Sequence, residues 1–164
     1  MNQLKRRSRL VEVVLGIACI MVIVAVLFPV TGGSYPSQTA LCMSRVKMMA
    51  LGAVLNMGEN DDILPFASSW MDRIVPDGTP EAVFHDKKAV AQGRYGYAFS
   101  DSASGLKKSK VAEPKDFPLT FETILPGRNA HGALSSMPPV GRHGTSDKVG
   151  YLDTHVKRIL VSGH

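Results

Sequence analysis

The sequence predicts an α+β chain: a long apolar N-terminal helix, a second helix, and a small antiparallel sheet. Three observations carry this. Leu10 to Val30 is a run of 21 residues with a single charge, Glu12. "SQTALCMSRVKMMALGAVLNMGEN" places apolar residues at helical spacing. Beyond it, short alternating stretches such as "RYGYAF" and "LTFETIL" are separated by turn-forming residues.

Residues 1–9 form a basic leader containing Lys5, Arg6, Arg7 and Arg9. Residues 10–30 follow as a transmembrane helix; at ~1.5 Å per residue the run spans about 30 Å, one hydrocarbon core. A cleaved secretory signal has an apolar region of only about 7–15 residues, so this helix is expected to be retained. No Lys or Arg follows until Arg45. Basic residues stay cytoplasmic, which places the N-terminus inside and the remainder outside the membrane, in the periplasm of a bacterium. Residues 31–36 form a Gly/Pro break, with Gly32, Gly33 and Pro36, and residues 37–164 form one exported domain.

Within that domain Ser37 is the expected N-cap of a helix ending near Gly58, with Leu41, Met48, Leu51 and Leu55 on one face. Met43, Met48, Met49 and Met57 read as soft core filler. "SSWMDRIV" predicts a short helix closed by the turn "PDGTP". "SGLKKSKVAEPKDFP" reads as a loop with one helical turn, and "NAHGALSSMPPVGRHGTSD" as loop. Lys148–Leu152 and His155–Leu160 predict a hairpin around the two residues Asp153 and Thr154. That register sets Tyr151 opposite Val156 and Val149 opposite Arg158, with this face and Leu160 buried.

Composition narrows the function classes. The net charge is +5, but Lys5, Arg6 and Arg7 carry three of those charges as a topology signal. The pI of 9.4 is therefore no argument for nucleic-acid binding. Lys107, Lys108 and Lys110 read as a solvated loop, because no aromatic residues are interleaved for base stacking. The two cysteines, Cys19 in the membrane run and Cys42 in the exported part, do not make an intrachain disulfide framework. His85, His131, His143, His155 and His164 show no metal-ligand spacing and read as turn and surface residues. Asn60, Asp61 and Asp62 lack the regular oxygen spacing of a calcium loop. Ser146, His143 and Asp153 could be written as a hydrolase triad, but no G-x-S-x-G motif supports it. No catalytic residue, cofactor or metal is expected.

The segment "RLVEVVLGIACIMVIVAVLFPV" resembles the N-terminal helix of type IV pilins and type II secretion pseudopilins. Glu12 fills their glutamate position, and Pro29 falls where many such helices carry a kinking proline. "LCMSRVKMMALGAVLNMGENDDILP" is similar to the "C-x-x-N-L-K-x-x-G-x-A" helix and the following acidic loop of pilin-like proteins abundant in planctomycetes and verrucomicrobia. Cys42, Val46, Lys47, Ala50, Asp62 and Pro65 stand at the corresponding places. "RHGTSDKVGYLDTHVKRI" resembles the C-terminal H-x9-D-G signature of that group: His143 is its histidine, Asp153 its aspartate, and His155 opens its continuation. Thr154 replaces the signature glycine. Many relatives carry a second cysteine after a Val-Phe pair, where this chain reads Val83-Phe84-His85-Asp86.

The resemblance implies a pilin-like fold and a structural pseudopilin subunit, packing through its N-terminal helix with other pilin-like subunits in a homo- or hetero-oligomer. It implies an inner-membrane location and a prepilin peptidase as processing partner. Arg7 stands before the expected cut where Gly or Ala is usual, and Ser8 stands after it in place of a large apolar residue, so cleavage is expected to be slow or absent. Glu12 is implied to pair with the freed amine of a neighbouring subunit and so set register; the alternative is that it reaches the headgroups beside Arg9. The competing reading of the whole chain is a single-pass anchored periplasmic binding module that never polymerises. A metal-dependent enzyme is a third and weaker one.

Overall fold

The computed structural model describes residues 14–22, 37–90, 92–143 and 145–160. The chain divides into two units, one up to residue 36 and one from Ser37 onward. Arg7, Ser8, Glu12 and Pro29 lie outside the described residues, as do most of the expected transmembrane run and its orientation. In the first unit residues 14–22 are helical (α1) and every one is exposed. Val14, Leu15, Ile17, Ile20, Met21 and Val22 are all more than half exposed.

The second unit is a mixed α/β structure with a five-stranded sheet. Helix α2, Gln38–Glu59, starts where expected: the Ser37 side chain accepts from Ala40 N at 3.2 Å. Short α3, Trp70–Ile74, and α4, Lys87–Val90, follow. The strands are β1 Tyr97–Ser100, β2 Pro118–Glu122, β3 His131–Gly132, β4 Ser146–Tyr151 and β5 Val156–Leu160. Their order is β3-β1-β2-β4-β5, antiparallel except for the short parallel pairing of β3 with β1. Strand β3 arises in a stretch expected to be loop; two residues joined to the Phe99 edge are too few to leave an alternating pattern.

Among the described residues one helix, α2, is long and apolar enough to cross a membrane by length and composition. Its apolar face is nonetheless occupied: α2 lies across the sheet, and Cys42, Val46, Met49, Ala50, Ala53 and Met57 are buried there. This corrects the expected face. Met48, Leu51 and Leu55 are 38%, 43% and 50% exposed, whereas the face carrying Val46, Ala50 and Ala53 points inward. Close approach explains the choice. A Cβ on Gly150 of β4 would stand 3.0 Å from Val46 Cγ1 and 3.1 Å from Ala50 Cβ, so backbones this near leave no room for leucines between them.

The sheet buries both faces. On the α2 side Trp70 stacks on Phe99, with centroids 5.6 Å apart, and meets Phe84 edge-on at 5.5 Å. The Trp70 indole N–H donates to Ala130 O at 3.0 Å. On the other side Ala98, Phe121, Val149 and Tyr151 pack with Leu125, Leu134, Met137 and Ile159. A register shift between Pro118 and Thr120 lets Leu119 join the α2-side core although Phe121 belongs to the opposite one.

The β4–β5 hairpin is found, with its register one residue away from expectation. Gly150 faces Val156, Val149 faces Lys157 and Lys148 faces Arg158. Tyr151 N donates to His155 O, and Thr154 N to Tyr151 O. The loop is therefore three residues long, Leu152–Asp153–Thr154, with Thr154 at φ 69°. The slip puts Val149 and Val156 on opposite faces, as a two-residue period demands. Leu160, expected to be buried, is 74% exposed.

Candidate functional site

The feature that separates this domain from an ordinary apolar core is a buried seam of polar and charged side chains beneath α2. Cys42 enters it from the inward face of α2. Tyr97 comes from β1, Glu122 from the end of β2 and Lys148 from β4, all with at most 1% exposure. Asp86, 2% exposed, comes from the turn that opens α4. Arg142 and His143 come from the loop leading into β4, with side chains 9% and 3% exposed.

Cys42, Asp86, Glu122, Arg142 and Lys148 are each held from two directions. Asp86 caps α4, its Oδ1 accepting from Lys88 N at 2.9 Å and Ala89 N at 3.3 Å. That leaves Oδ2 to face His143 Nε2 at 2.8 Å, with the Arg45 guanidinium 4.0 Å away. Arg142 holds the loop in place: its guanidinium donates to Gly96 O at 2.7 Å and to Thr123 O. Gly96 is required here. Its φ is +106°, and a Cβ would stand 2.9 Å from the Arg142 guanidinium and 3.0 Å from Asp86 Cβ.

Glu122 joins the other half of the seam. Its Oε1 accepts from the Cys42 thiol at 2.9 Å. Its Oε2 accepts from Lys148 N at 2.8 Å and lies 3.6 Å from Lys148 Nζ. Lys148 Nζ also donates to Ser146 O at 2.9 Å. Because the single thiol proton goes to Glu122, the Tyr97 hydroxyl, 3.2 Å from Sγ, is the donor in that contact.

Burial, together with the charge of Glu122, pushes the Cys42 thiol far above its usual range, and burial does the same for the Tyr97 hydroxyl. Both stay neutral. Burial also opposes ionisation of Asp86, but the His143 hydrogen bond and the nearby charges of His143 and Arg142 outweigh it and hold the carboxyl below its ordinary value. Asp147 goes the other way. Burial raises its carboxyl to about 6, only partly offset by the hydrogen bond from Arg142 N. Its Oδ2 has no partner among the described residues.

The residues singled out in sequence fall in different places. His143 is not a surface residue but part of the buried seam. Asp153 is exposed at the hairpin tip, where its Oδ1 meets the His155 ring and His155 N. The His155 ring stacks on Tyr151, with centroids 4.6 Å apart and planes 4° from parallel. His143 and Asp153 thus engage different partners. Ser146 Oγ accepts from Arg158 Nε at 3.2 Å, so the three form no hydrolase triad. His131 sits on Asp101 and His85 near Glu81, both at the surface. His164 lies outside the described residues. Asn60, Asp61 and Asp62 are exposed, Asp61 and Asp62 with positive φ, as are Lys107, Lys108 and Lys110.

Sequence reasoning missed Asp86, Glu122, Lys148 and Arg142. Asp86, two places after the Val83-Phe84 pair, comes to Cys42, whereas His85, directly after the pair, lies near Glu81. The thiol of Cys42, a carboxylate oxygen of Asp86 and a ring nitrogen of His143 lie within 4.8 Å of one another. A neutral buried thiol is a poor nucleophile, so this arrangement suits holding segments together, or holding an ion, better than covalent catalysis. Compared with known protein families, with characterised proteins and with solved structures, the chain matches none of them.

Proposed function

We propose that the chain is a structural pilin-like subunit, anchored in the inner membrane with its C-terminal domain outside the cytoplasm, that joins other pilin-like subunits of a type II secretion or type IV pilus-like assembly through its N-terminal helix. The observation that carries this reading is α1. Its described residues are almost uniformly apolar and all exposed, a surface that needs lipid or other helices around it. The order of elements agrees with the resemblance: an apolar helix, a second helix laid on a mostly antiparallel sheet, and a terminal hairpin that His143 precedes and whose loop region carries Asp153 and His155. In this reading Glu12 is the register device of a subunit whose leader has been cut. A carboxylate within an apolar helix bundle persists when a neighbouring subunit's amine compensates it.

The test is co-expression with a prepilin peptidase, followed by intact mass and amine cross-linking in membranes. The native chain should be cut slowly or not at all, and Arg7→Gly should be cut after residue 7. The cut chain should cross-link into species larger than dimers, and Glu12→Leu should reduce these to monomers. Failure to cut even Arg7→Gly, or monomers alone after cutting, refutes the proposal. Monomers alone would favour the anchored module.

A further inference from the structure

We infer that Cys42, Asp86 and His143 form a binding site for a single divalent transition cation of the zinc type. The inference stands on their placement and is independent of the proposed assembly role. The three donors come from three separate segments, α2, the turn opening α4 and the loop before β4, yet their ligand atoms lie within 4.8 Å of one another. Zinc bonds to sulfur at ~2.3 Å and to nitrogen or oxygen at ~2.0–2.2 Å, so two ligands on one tetrahedral ion stand about 3.4–3.7 Å apart. Side-chain adjustment of about an ångström closes the site.

The donor set also selects the ion. Thiolate, imidazole and carboxylate together suit zinc or cobalt, whereas calcium and magnesium take oxygen ligands. Two of the ligands are oriented before any ion arrives. Asp86 Oδ1 is tied to Lys88 N and Ala89 N, which turns Oδ2 inward toward His143 Nε2; the proton these two atoms share is lost to solvent when both coordinate, His143 keeping its proton on Nδ1. Glu122, 2.9 Å from Cys42 Sγ, stands beside the sulfur as acceptor of the thiol proton, which leaves for solvent as the sulfur coordinates.

Other groups face the site and set its limits. Lys148 neutralises Glu122 and Tyr97 donates to the sulfur. Arg45 and Arg142 each stand 4.0 Å from Asp86 and compete with a cation for it. Arg142 is fixed by carbonyl groups, but the Arg45 side chain is 17% exposed and can turn outward when an ion enters.

Full-length protein in detergent, either titrated directly with Co2+ or refolded in its presence, tests the site. One equivalent per chain should bind, with a thiolate-to-cobalt charge-transfer band and the intense visible bands of tetrahedral cobalt. Cys19→Ser should keep these bands; Cys42→Ser and His143→Gln should lose them. Zn2+ should raise the melting temperature of the native chain and of Cys19→Ser, and leave that of His143→Gln unmoved. If Cys42→Ser fails to fold by circular dichroism, His143→Gln decides the matter. Absence of the charge-transfer band under both loading conditions, its loss in Cys19→Ser, or its survival in His143→Gln would overturn the assignment and leave a purely hydrogen-bonded seam.

Discussion

Thr154→Gly should stabilise the domain, and the reason is local enough to calculate. Thr154 is the third residue of the β4–β5 loop and has φ 69°. Its N–H closes the turn onto Tyr151 O at 2.8 Å. A β-branched residue in this left-handed region costs roughly 1–2 kcal/mol. Glycine removes that cost but gives back about 0.4–1 kcal/mol through the greater freedom of the unfolded chain. The net gain is about 0.5–1 kcal/mol, or roughly 2–5 °C in a domain of this size.

The partner substitution separates this loop from the two-residue turn that the sequence suggests. A type I′ turn would need positive φ at both Asp153 and Thr154, and glycine would then help at either position. In the three-residue loop only Thr154 has positive φ, and Asp153 Oδ1 accepts from His155 N at 3.2 Å. Asp153→Gly should therefore cost about 0.5–1.5 kcal/mol, the net worth of one hydrogen bond. Urea unfolding of the full chain in detergent, followed by circular dichroism, gives both numbers. A midpoint that is unchanged or lower in Thr154→Gly, or higher in Asp153→Gly, refutes the three-residue loop.

Three other outcomes follow from the core. Asp147 has its folded-state carboxyl raised to about 6, above the usual carboxylate value, so native protein binds this proton more tightly than unfolded chain does. Its contribution is complete below pH ~4 and is lost as pH rises through 6; Asp147→Asn should thus gain up to about 2 kcal/mol at pH 7.5 and nothing at pH 4, read from melting curves at the two values. Gly150→Ala drives a methyl to 2.8 Å from Thr120 Oγ1 and should cost about 1–3 kcal/mol, whereas Leu51→Ser on the exposed face of α2 should stay within about 0.5 kcal/mol; the reverse order in urea melts would restore the leucine face to the core. Trp70→Phe removes the indole hydrogen bond to Ala130 O, which keeps Phe99 N as a donor at 3.0 Å. The lost bond should cost about 0.5–1.5 kcal/mol in addition to the lost packing of the larger ring, which an unchanged urea midpoint would contradict.

The elements were legible in sequence where local chemistry dictates them. Ser37 caps α2 because its hydroxyl is placed for a free N–H, a rule that needs no tertiary context. The alternation in "KVGYLD" and "HVKRIL" located both strands of the hairpin. What local rules could not give was which face of α2 turns inward. The leucine face is the more hydrophobic one, and a pattern count favours it. The decision was made instead by the distance between helix and sheet. Gly150 brings β4 close to the middle of the helix, and at that point of approach the helix presents Val46 and Ala50, leaving the unbranched Met49 and Met57 to fill the space on either side. Hydrophobicity ranks the faces; steric clearance chooses between them. The hairpin slip has a similar origin. Thr154 argues against a two-residue type I′ turn, and the chain takes the longer loop, which needs only one residue in the left-handed region.

The seam was less legible, because its members are far apart in the chain. Cys42 and Glu122 are 80 residues apart, and Asp86 and His143 are 57 apart. No spacing rule for metals or triads reaches across such intervals. His143 and Asp153 stand apart, as their spacing in the sequence suggests, for a geometric reason. Strand β4, Ser146–Tyr151, lies between them, and six strand residues extend about 20 Å. The nine-residue spacer is thus the length of one strand and its turns, and it sends the two residues to opposite ends of it. At one end His143 closes the buried seam on Asp86; at the other Asp153 braces the hairpin tip through His155. The two ends place different demands on sequence. The tip needs a residue that accepts from the backbone two positions on, which Asp supplies at little cost. The seam needs a side chain that can satisfy a buried carboxylate already capping α4 and flanked by Arg45 and Arg142. A residue with no polar reach at position 143 would leave Asp86 Oδ2 charged and without its hydrogen bond in the core, a far larger penalty than any change at the tip could bring.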